Sequence, residues 1–174
     1  MEGIVALVRS CKRATLLALV LVLCPIAVAK VSHAGWPKID GVTKINSRDR
    51  NKATTGTSRS DELLGGHGND TIDGGRSGDV IWGDYKFGGQ PLTQVDHLNG
   101  EGGRDFIYAS HGINYIHAGP GNDVIHAHYG RGIADCGPGR DLIYLSHVRR
   151  HDWKLRGCER ITFHPGTSTL TPNG

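Results

Sequence analysis

The sequence predicts an all-β protein built as a short-turn solenoid, and three observations carry that prediction. Glycine is in excess, 26 of 174 residues, where ordinary chains hold about 7%. The glycines recur in a nine-residue register instead of scattering. One position of that register is apolar in every copy, and another is mostly Asp. An apolar column at fixed spacing is the core of a stack of small units, none of which buries its own face alone.

The chain opens with residues outside this pattern. Arg9, Lys12 and Arg13 precede ATLLALVLVLCPIAVA, residues 14–29, an uncharged apolar run ending in Ala27-Val28-Ala29. A basic start, an apolar stretch and an A-x-A end read as a secretory signal peptide over residues 1–29. The run is shorter than the roughly 20 residues of a spanning helix, and it contains Pro25. An uncleaved anchor is the alternative; the bulky Leu23 before Cys24 speaks against lipoprotein processing. Cleavage takes three bases from 20 and one acid from 17, which leaves a net charge of +1. That balance gives no electrostatic footprint for nucleic acid. The expected location is secreted, extracellular or cell-surface, with no membrane association after cleavage. Residues 30–55 are polar, lack clear periodicity and read as a linker that pairs onto the first coil.

The register begins at residue 56. Its copies are GTSRSDELL (56–64), GGHGNDTID (65–73) and GGRSGDVIW (74–82), then GEGGRDFIY (100–108), ASHGINYIH (109–117), AGPGNDVIH (118–126), AHYGRGIAD (127–135) and CGPGRDLIY (136–144). One interrupted copy lies between, opened by Gly83-Asp84, closed by VDHLN (95–99) and carrying an insertion over about 85–92. Position eight is Leu63, Ile72, Ile81, Leu98, Ile107, Ile116, Ile125, Ala134 and Ile143. Position six is Asp61, Asp70, Asp79, Asp96, Asp105, Asn114, Asp123, Gly132 and Asp141.

These copies match G-G-x-G-x-D-x-U-x and resemble the calcium-binding nonapeptide of the RTX, or haemolysin-type, family. The resemblance covers residues 56–144, about 60% of the chain that follows the signal. It implies a parallel β-roll, a two-sheet calcium-binding solenoid, with turns at positions one to six and strands at seven to nine. Successive strands then fall on opposite sheets, and two repeats make one full coil.

The chemistry follows from the residue types. Glycine at positions two and four lets the turn reach positive φ at little steric cost. The glycines in question are Gly66, Gly68, Gly75, Gly103, Gly119, Gly121, Gly137 and Gly139. Inward carbonyls and the position-six carboxylate form an all-oxygen cage suited to Ca²⁺. In the two-sheet arrangement the odd repeats carry Asp61, Asp79, Asp105, Asp123 and Asp141, a complete column expected to hold up to four ions. The even repeats carry Asp70, Asp96, Asn114 and Gly132, a decaying column with one or two ions near Asp70 and Asp96. Ser77 and Arg59 replace the fourth-position glycine, and Glu101 the second, which weakens single sites. Without metal, Asp residues stacked about 4.8 Å apart repel by roughly 3 to 4 kcal/mol per pair at an effective dielectric of 20. The calcium-free chain is expected to be loosened or unfolded. The sequon Asn69-Asp70-Thr71 falls inside a calcium turn and is discounted as a glycosylation site.

Positions seven and nine face away from the core. On the odd sheet they include Val80, Phe106, Val124 and Leu142, with Trp82, Tyr108, His126 and Tyr144. An apolar outer face needs a cover. The linker, the insertion or the tail is one candidate. The other is a protein or glycan partner, or self-association, through Trp82, Tyr108 and Tyr144, as in an adhesion module.

Residues 145–163 resemble the closing strands that follow such repeats, and 164–174 read as a disordered tail. Cys136 and Cys158 remain after cleavage, an even pair in an exported chain, so a disulfide pinning the cap is expected. No HExxH, GxSxG or P-loop is present. The histidines read as solvated or stacking groups and the protein as non-enzymatic. A secreted polysaccharide-modifying enzyme is the weaker alternative.

Overall fold

Strands form where the register places branched or aromatic residues beside the position-eight side chain, and turns where Gly and Asp cluster. The computed structural model describes residues 35–86 and 88–164. One parallel sheet contains β1 (Thr43–Ile45), β3 (Glu62–Leu64), β5 (Val80–Trp82), β7 (Phe106–Tyr108), β9 (Val124–Ala127), β11 (Leu142–Ser146) and β13 (Arg160–His164). The other contains β2 (Lys52–Thr55), β4 (Asp70–Arg76), β6 (Val95–Gly102), β8 (Ile113–His117), β10 (Arg131–Asp135) and β12 (Trp153–Arg156). Consecutive strands alternate between the sheets, so the chain is an all-β, two-sheet parallel solenoid of about seven coils. Among the described residues there is no α-helix, only the 3-10 turn Arg150–Asp152.

The register is the one the repeat dictates. Leu63 pairs with Ile81, Ile107 with Ile125 and Ile125 with Ile143, each two repeats apart. Ile81 pairs with Ile107 across two repeats and the insertion. The insertion therefore leaves the roll between β5 and β6, on the even-turn edge, without shifting the coils it separates. Position eight is the core: Leu63, Ile81, Ile107, Ile125 and Ile143 of one sheet are fully buried against Ile72, Leu98, Ile116 and Ala134 of the other. Each such aliphatic side chain contributes roughly 1.5 to 3 kcal/mol on leaving water.

The roll extends beyond residues 56–144 at both ends. In the segment read as a linker, β1 and β2 pair in parallel with β3 and β4. In the capping segment, β12 and β13 pair in parallel with β10 and β11 and so continue the coil. The even coil there runs from Ala134 to its partner Leu155, longer than two repeats, and that lengthening obscures the register in sequence. Cys136 and Cys158 form the expected disulfide, with Cα atoms 5.2 Å apart. Closing this loop of about 22 residues stabilises by roughly 3 kcal/mol on the chain-entropy estimate. The signal-peptide reading and the expected tail beyond His164 lie outside the described residues. Among the described residues no helix is long and apolar enough to cross a membrane.

Candidate metal centre

The odd-turn edge is built by coils that approach too closely to admit side chains. A Cβ on Gly119 would lie 1.8 Å from the Glu101 carbonyl oxygen, and one on Gly121 would lie 1.7 Å from the Gly103 oxygen. Gly137 and Gly139 repeat both contacts one coil on, against the carbonyls of Gly119 and Gly121. Gly75, Gly103, Gly119 and Gly137 have the expected positive φ, as does Gly68 on the other edge, but Gly66, Gly121 and Gly139 do not; there a neighbouring carbonyl, not φ, excludes a side chain. At two of the three substituted positions the backbone keeps the same conformation, Ser77 with φ 81° and Glu101 with φ 70°, while Arg59 in the first repeat does not. A non-glycine residue there costs about 1 to 2 kcal/mol, so the turn geometry is imposed by the stack.

The position-six carboxylates run up this edge as a ladder. The N–H of Asp61 donates to Asp79 Oδ1 at 2.7 Å, and that of Asp79 to Asp105 Oδ1 at 2.7 Å. Asp105 donates likewise to Asp123, and Asp123 to Asp141, both at 2.8 Å. The N–H of Asp141 donates to Glu159 Oε2 at 2.8 Å, so Glu159 completes the column in the terminal coil. Sequence reasoning missed Glu159 because the delayed strand β12 before it breaks the nine-residue count. The signal was Gly157, Glu159 and Ile161 at positions four, six and eight.

Each of these acids uses one oxygen for the ladder. The other, Oδ2, is buried and without a hydrogen-bond partner in Asp79, Asp105, Asp123 and Asp141. Asp61, in the first nonapeptide, has its Oδ2 engaged by the N–H of Thr57. Burial pushes the carboxyl of Asp105 up to about 8, with Asp123 and Asp79 adding like charge. Burial likewise raises Asp79 to about 7 and Asp123 to about 6, each also beside a neighbouring carboxylate. Orphaned buried carboxylate oxygens lined up along a row of carbonyls fit a hard cation with oxygen ligands. Among the described residues no group of three or more His, Cys, Asp or Glu side chains gathers as a metal cluster, so a cation on this edge would draw mainly on backbone carbonyls with single carboxylates.

The even edge is built differently. Asp70 accepts from Asn46 Nδ2 and the N–H of Lys52 on Oδ1, and from the N–H of Gly66 on Oδ2. Asp96 accepts from the N–H of Asp70 and from Gln94 Nε2. Asn114 Nδ2 donates to the carbonyls of Ser110 and Gly112 at 3.1 and 3.3 Å. Asn46, Gln94 and Asn114 are all buried. Side-chain amides therefore supply, on this edge, the donors that Oδ2 of Asp79, Asp105, Asp123 and Asp141 lacks on the odd edge. Gly68 has positive φ here, with its N–H directed to Gln94 Oε1. Asn46 and Gln94 stand outside the nonapeptide columns, and periodicity could not reveal them.

The outer face of the odd sheet is partly covered from within. Trp36 and Ile39 pack with Val80, Phe106 and Val124, and Trp36 Nε1 donates to the Tyr108 hydroxyl. Trp82, Tyr108, His126 and Tyr144 stack face to face, with centroids 4.1, 4.5 and 4.8 Å apart. Tyr108 and His126 have both ring faces covered within this stack, while Trp82 and Tyr144 stand at its ends.

Parallel coils with a glycine- and aspartate-lined edge define a β-roll. The family model of the RTX calcium-binding nonapeptide repeat (4 copies) matches residues 55–84, 94–125 and 110–131. These residues are RTX calcium-binding repeats. Neither the comparison with curated proteins nor that with solved structures returned a match.

Proposed function

We propose that the protein binds about four calcium ions along one edge of its roll and folds as they bind, after export into a calcium-rich medium. The observation that carries this reading is the row of four buried, partnerless Oδ2 atoms at Asp79, Asp105, Asp123 and Asp141. Asp61 closes the column at one end, and the position-two and position-four carbonyls supply the remaining donors. Bound calcium supplies the positive charge that cancels the stacked carboxylates. On the even edge Asn46, Gln94 and Asn114 do that work by hydrogen bonding, so Asp70 and Asp96 hold no ion.

The magnitudes support a folding switch. Extracellular calcium modules bind at about 10⁻⁴ to 10⁻³ M. A site near 0.1 mM contributes roughly 1.4 kcal/mol at about 1 mM Ca²⁺. Four such sites give about 6 kcal/mol, comparable to the whole stability of a small domain, about 5 to 15 kcal/mol. No catalytic step is assigned; the role is that of an extracellular structural or surface component. Counting bound calcium by native mass spectrometry tests the reading. About four ions per chain is the expected result, and six or more, or none, contradicts it.

A further inference from the structure

We propose that the protein carries a docking site for an organic carboxylate, set beside the odd-turn edge and formed by Arg104, Arg140 and Arg160. These three residues line an open depression of about 240 Å³, together with Asn122, Asp123, Val124 and Leu142. Two rows of the roll meet there. Arg104, Asn122 and Arg140 hold position five of three successive odd turns. Val124, Leu142 and Arg160 hold position seven of β9, β11 and β13, the last three strands of their sheet, in direct register. The spacing of parallel strands puts neighbours in each row about 4.8 Å apart.

The charges are only partly compensated: Arg104 lies near enough to Asp123 to favour its charged form. Among the described residues no carboxylate lies within salt-bridge distance of any of the three guanidinium groups. Arg104 is held in place, donating to the Gly35 carbonyl at 3.2 Å with its guanidinium 4.7 Å from the Phe106 ring centroid. Arg140 and Arg160 are exposed. The one acid in the lining, Asp123, is buried and belongs to the calcium column. In that respect the site rests on the calcium reading, because a loaded edge cancels the only opposing charge.

The ligand class follows from the lining. Planar guanidinium groups take carboxylates through paired N–H bonds. Val124 and Leu142 form an apolar floor, which suits the C–H face of a sugar ring or a hydrocarbon stem better than a bare inorganic anion. A uronic acid meets both requirements, either free or as a unit of an acidic polysaccharide.

The experiment is a nuclear magnetic resonance titration of the calcium-loaded protein with sodium glucuronate, with glucose and sodium sulfate as controls. The expected result is a saturable shift confined to the side chains of Arg104, Arg140 and Arg160 and the methyl groups of Val124 and Leu142. Glucose produces none, and the Arg140→Ala/Arg160→Ala variant weakens glucuronate binding by roughly tenfold or more. A hyaluronan octasaccharide identifies the source: tighter binding than the monomer marks a polymer-borne carboxylate, equal binding a free one. Shifts spread over all basic residues, or sulfate binding as tightly as glucuronate, overturn the proposal. The calcium midpoint of the same variant is expected to equal that of the parent, so failure here is separable from failure of the calcium reading.

Discussion

The N–H of Asp105 donates to Oδ1 of Asp123 one coil away, at 2.8 Å, while Oδ2 of the same Asp123 is buried with no partner. One carboxylate thus does two jobs. It ties its coil to the one before through the backbone, and its second oxygen, left without a partner, is the one the proposed function assigns to calcium. The same division recurs at Asp79, Asp105 and Asp141, and it sets what substitution, acid and metal should do to the roll.

Asp105→Ala and Asp123→Ala are expected to raise the calcium midpoint for folding most, because each removes the ladder bond and the free oxygen from mid-column. Asp123→Asn keeps an acceptor for the Asp105 N–H and places an amide where Oδ2 stood, as Asn114 does on the other edge. It is expected to lose calcium while remaining easier to fold without metal than Asp123→Ala. Calcium titrations followed by intrinsic fluorescence compare the three; equal midpoints for all and for the parent would sink the assignment.

Asn114→Asp tests the even edge. Nδ2 now satisfies the carbonyls of Ser110 and Gly112. A carboxylate there leaves the buried Ser110 carbonyl without its donor, takes one of two donors from Gly112, whose carbonyl keeps the N–H of Arg131, and adds a charge next to Asp96, its register partner. The unpaired acceptor costs about 1 to 3 kcal/mol. In saturating calcium, where the odd edge is loaded and the parent is folded, the variant should melt well below the parent. An unchanged melt there would show that the amide does not hold this turn.

Acid should partly replace calcium. Burial, with neighbouring carboxylates, raises Asp105 to about 8, Asp79 to about 7 and Asp123 to about 6 in the folded chain, from 3.8. A carboxyl raised in the folded state binds more protons folded than unfolded. Its contribution is complete below the unfolded value and is lost as pH rises through the folded one. Calcium-stripped protein should therefore melt higher at about pH 5 than at about pH 8, and calcium loading near neutral pH should release protons. Thermal melts across this range, with proton release followed in weak buffer, provide the check; a calcium-free melting temperature that climbs with pH is the contrary outcome.

Glu101→Gly and Ser77→Gly should stabilise the loaded roll. Both residues sit at positive φ, 70° and 81°, a conformation that costs a side-chain-bearing residue about 1 to 2 kcal/mol. Glycine returns about 0.5 to 1 kcal/mol of that in unfolded-state entropy, leaving a net gain of up to about 1 kcal/mol. Denaturant melts in saturating calcium measure it, and a loss of stability would mean that Glu101 or Ser77 contributes contacts outweighing its strain.

The roll itself was legible because its determinants are periodic. Position eight and position six each recur at nine residues, so Ile107 and Asp105 announce core and edge without any tertiary information. The ends were not legible for the same reason. Lys52 stands in the position-six register beside Asp70, and Lys44 in the position-eight register beside Leu63, so β1 and β2 carry no motif. Glu159 hides behind the lengthened coil that delays β12. The amide donors Asn46 and Gln94 reach Asp70 and Asp96 from outside the repeat columns, which only the folded geometry brings together. Trp36 belongs to the same group: a lone aromatic in a polar segment, placed on the distant Tyr108 by the fold alone.

The central claim is that calcium on the odd edge decides folding. Far-UV circular dichroism of the disulfide-intact protein, titrated with Ca²⁺ and with Mg²⁺ as control, tests it most directly. The account predicts a β signal that is weak at neutral pH without metal and appears cooperatively with Ca²⁺ but not with Mg²⁺. A spectrum already fully β without metal and unchanged by calcium would contradict it.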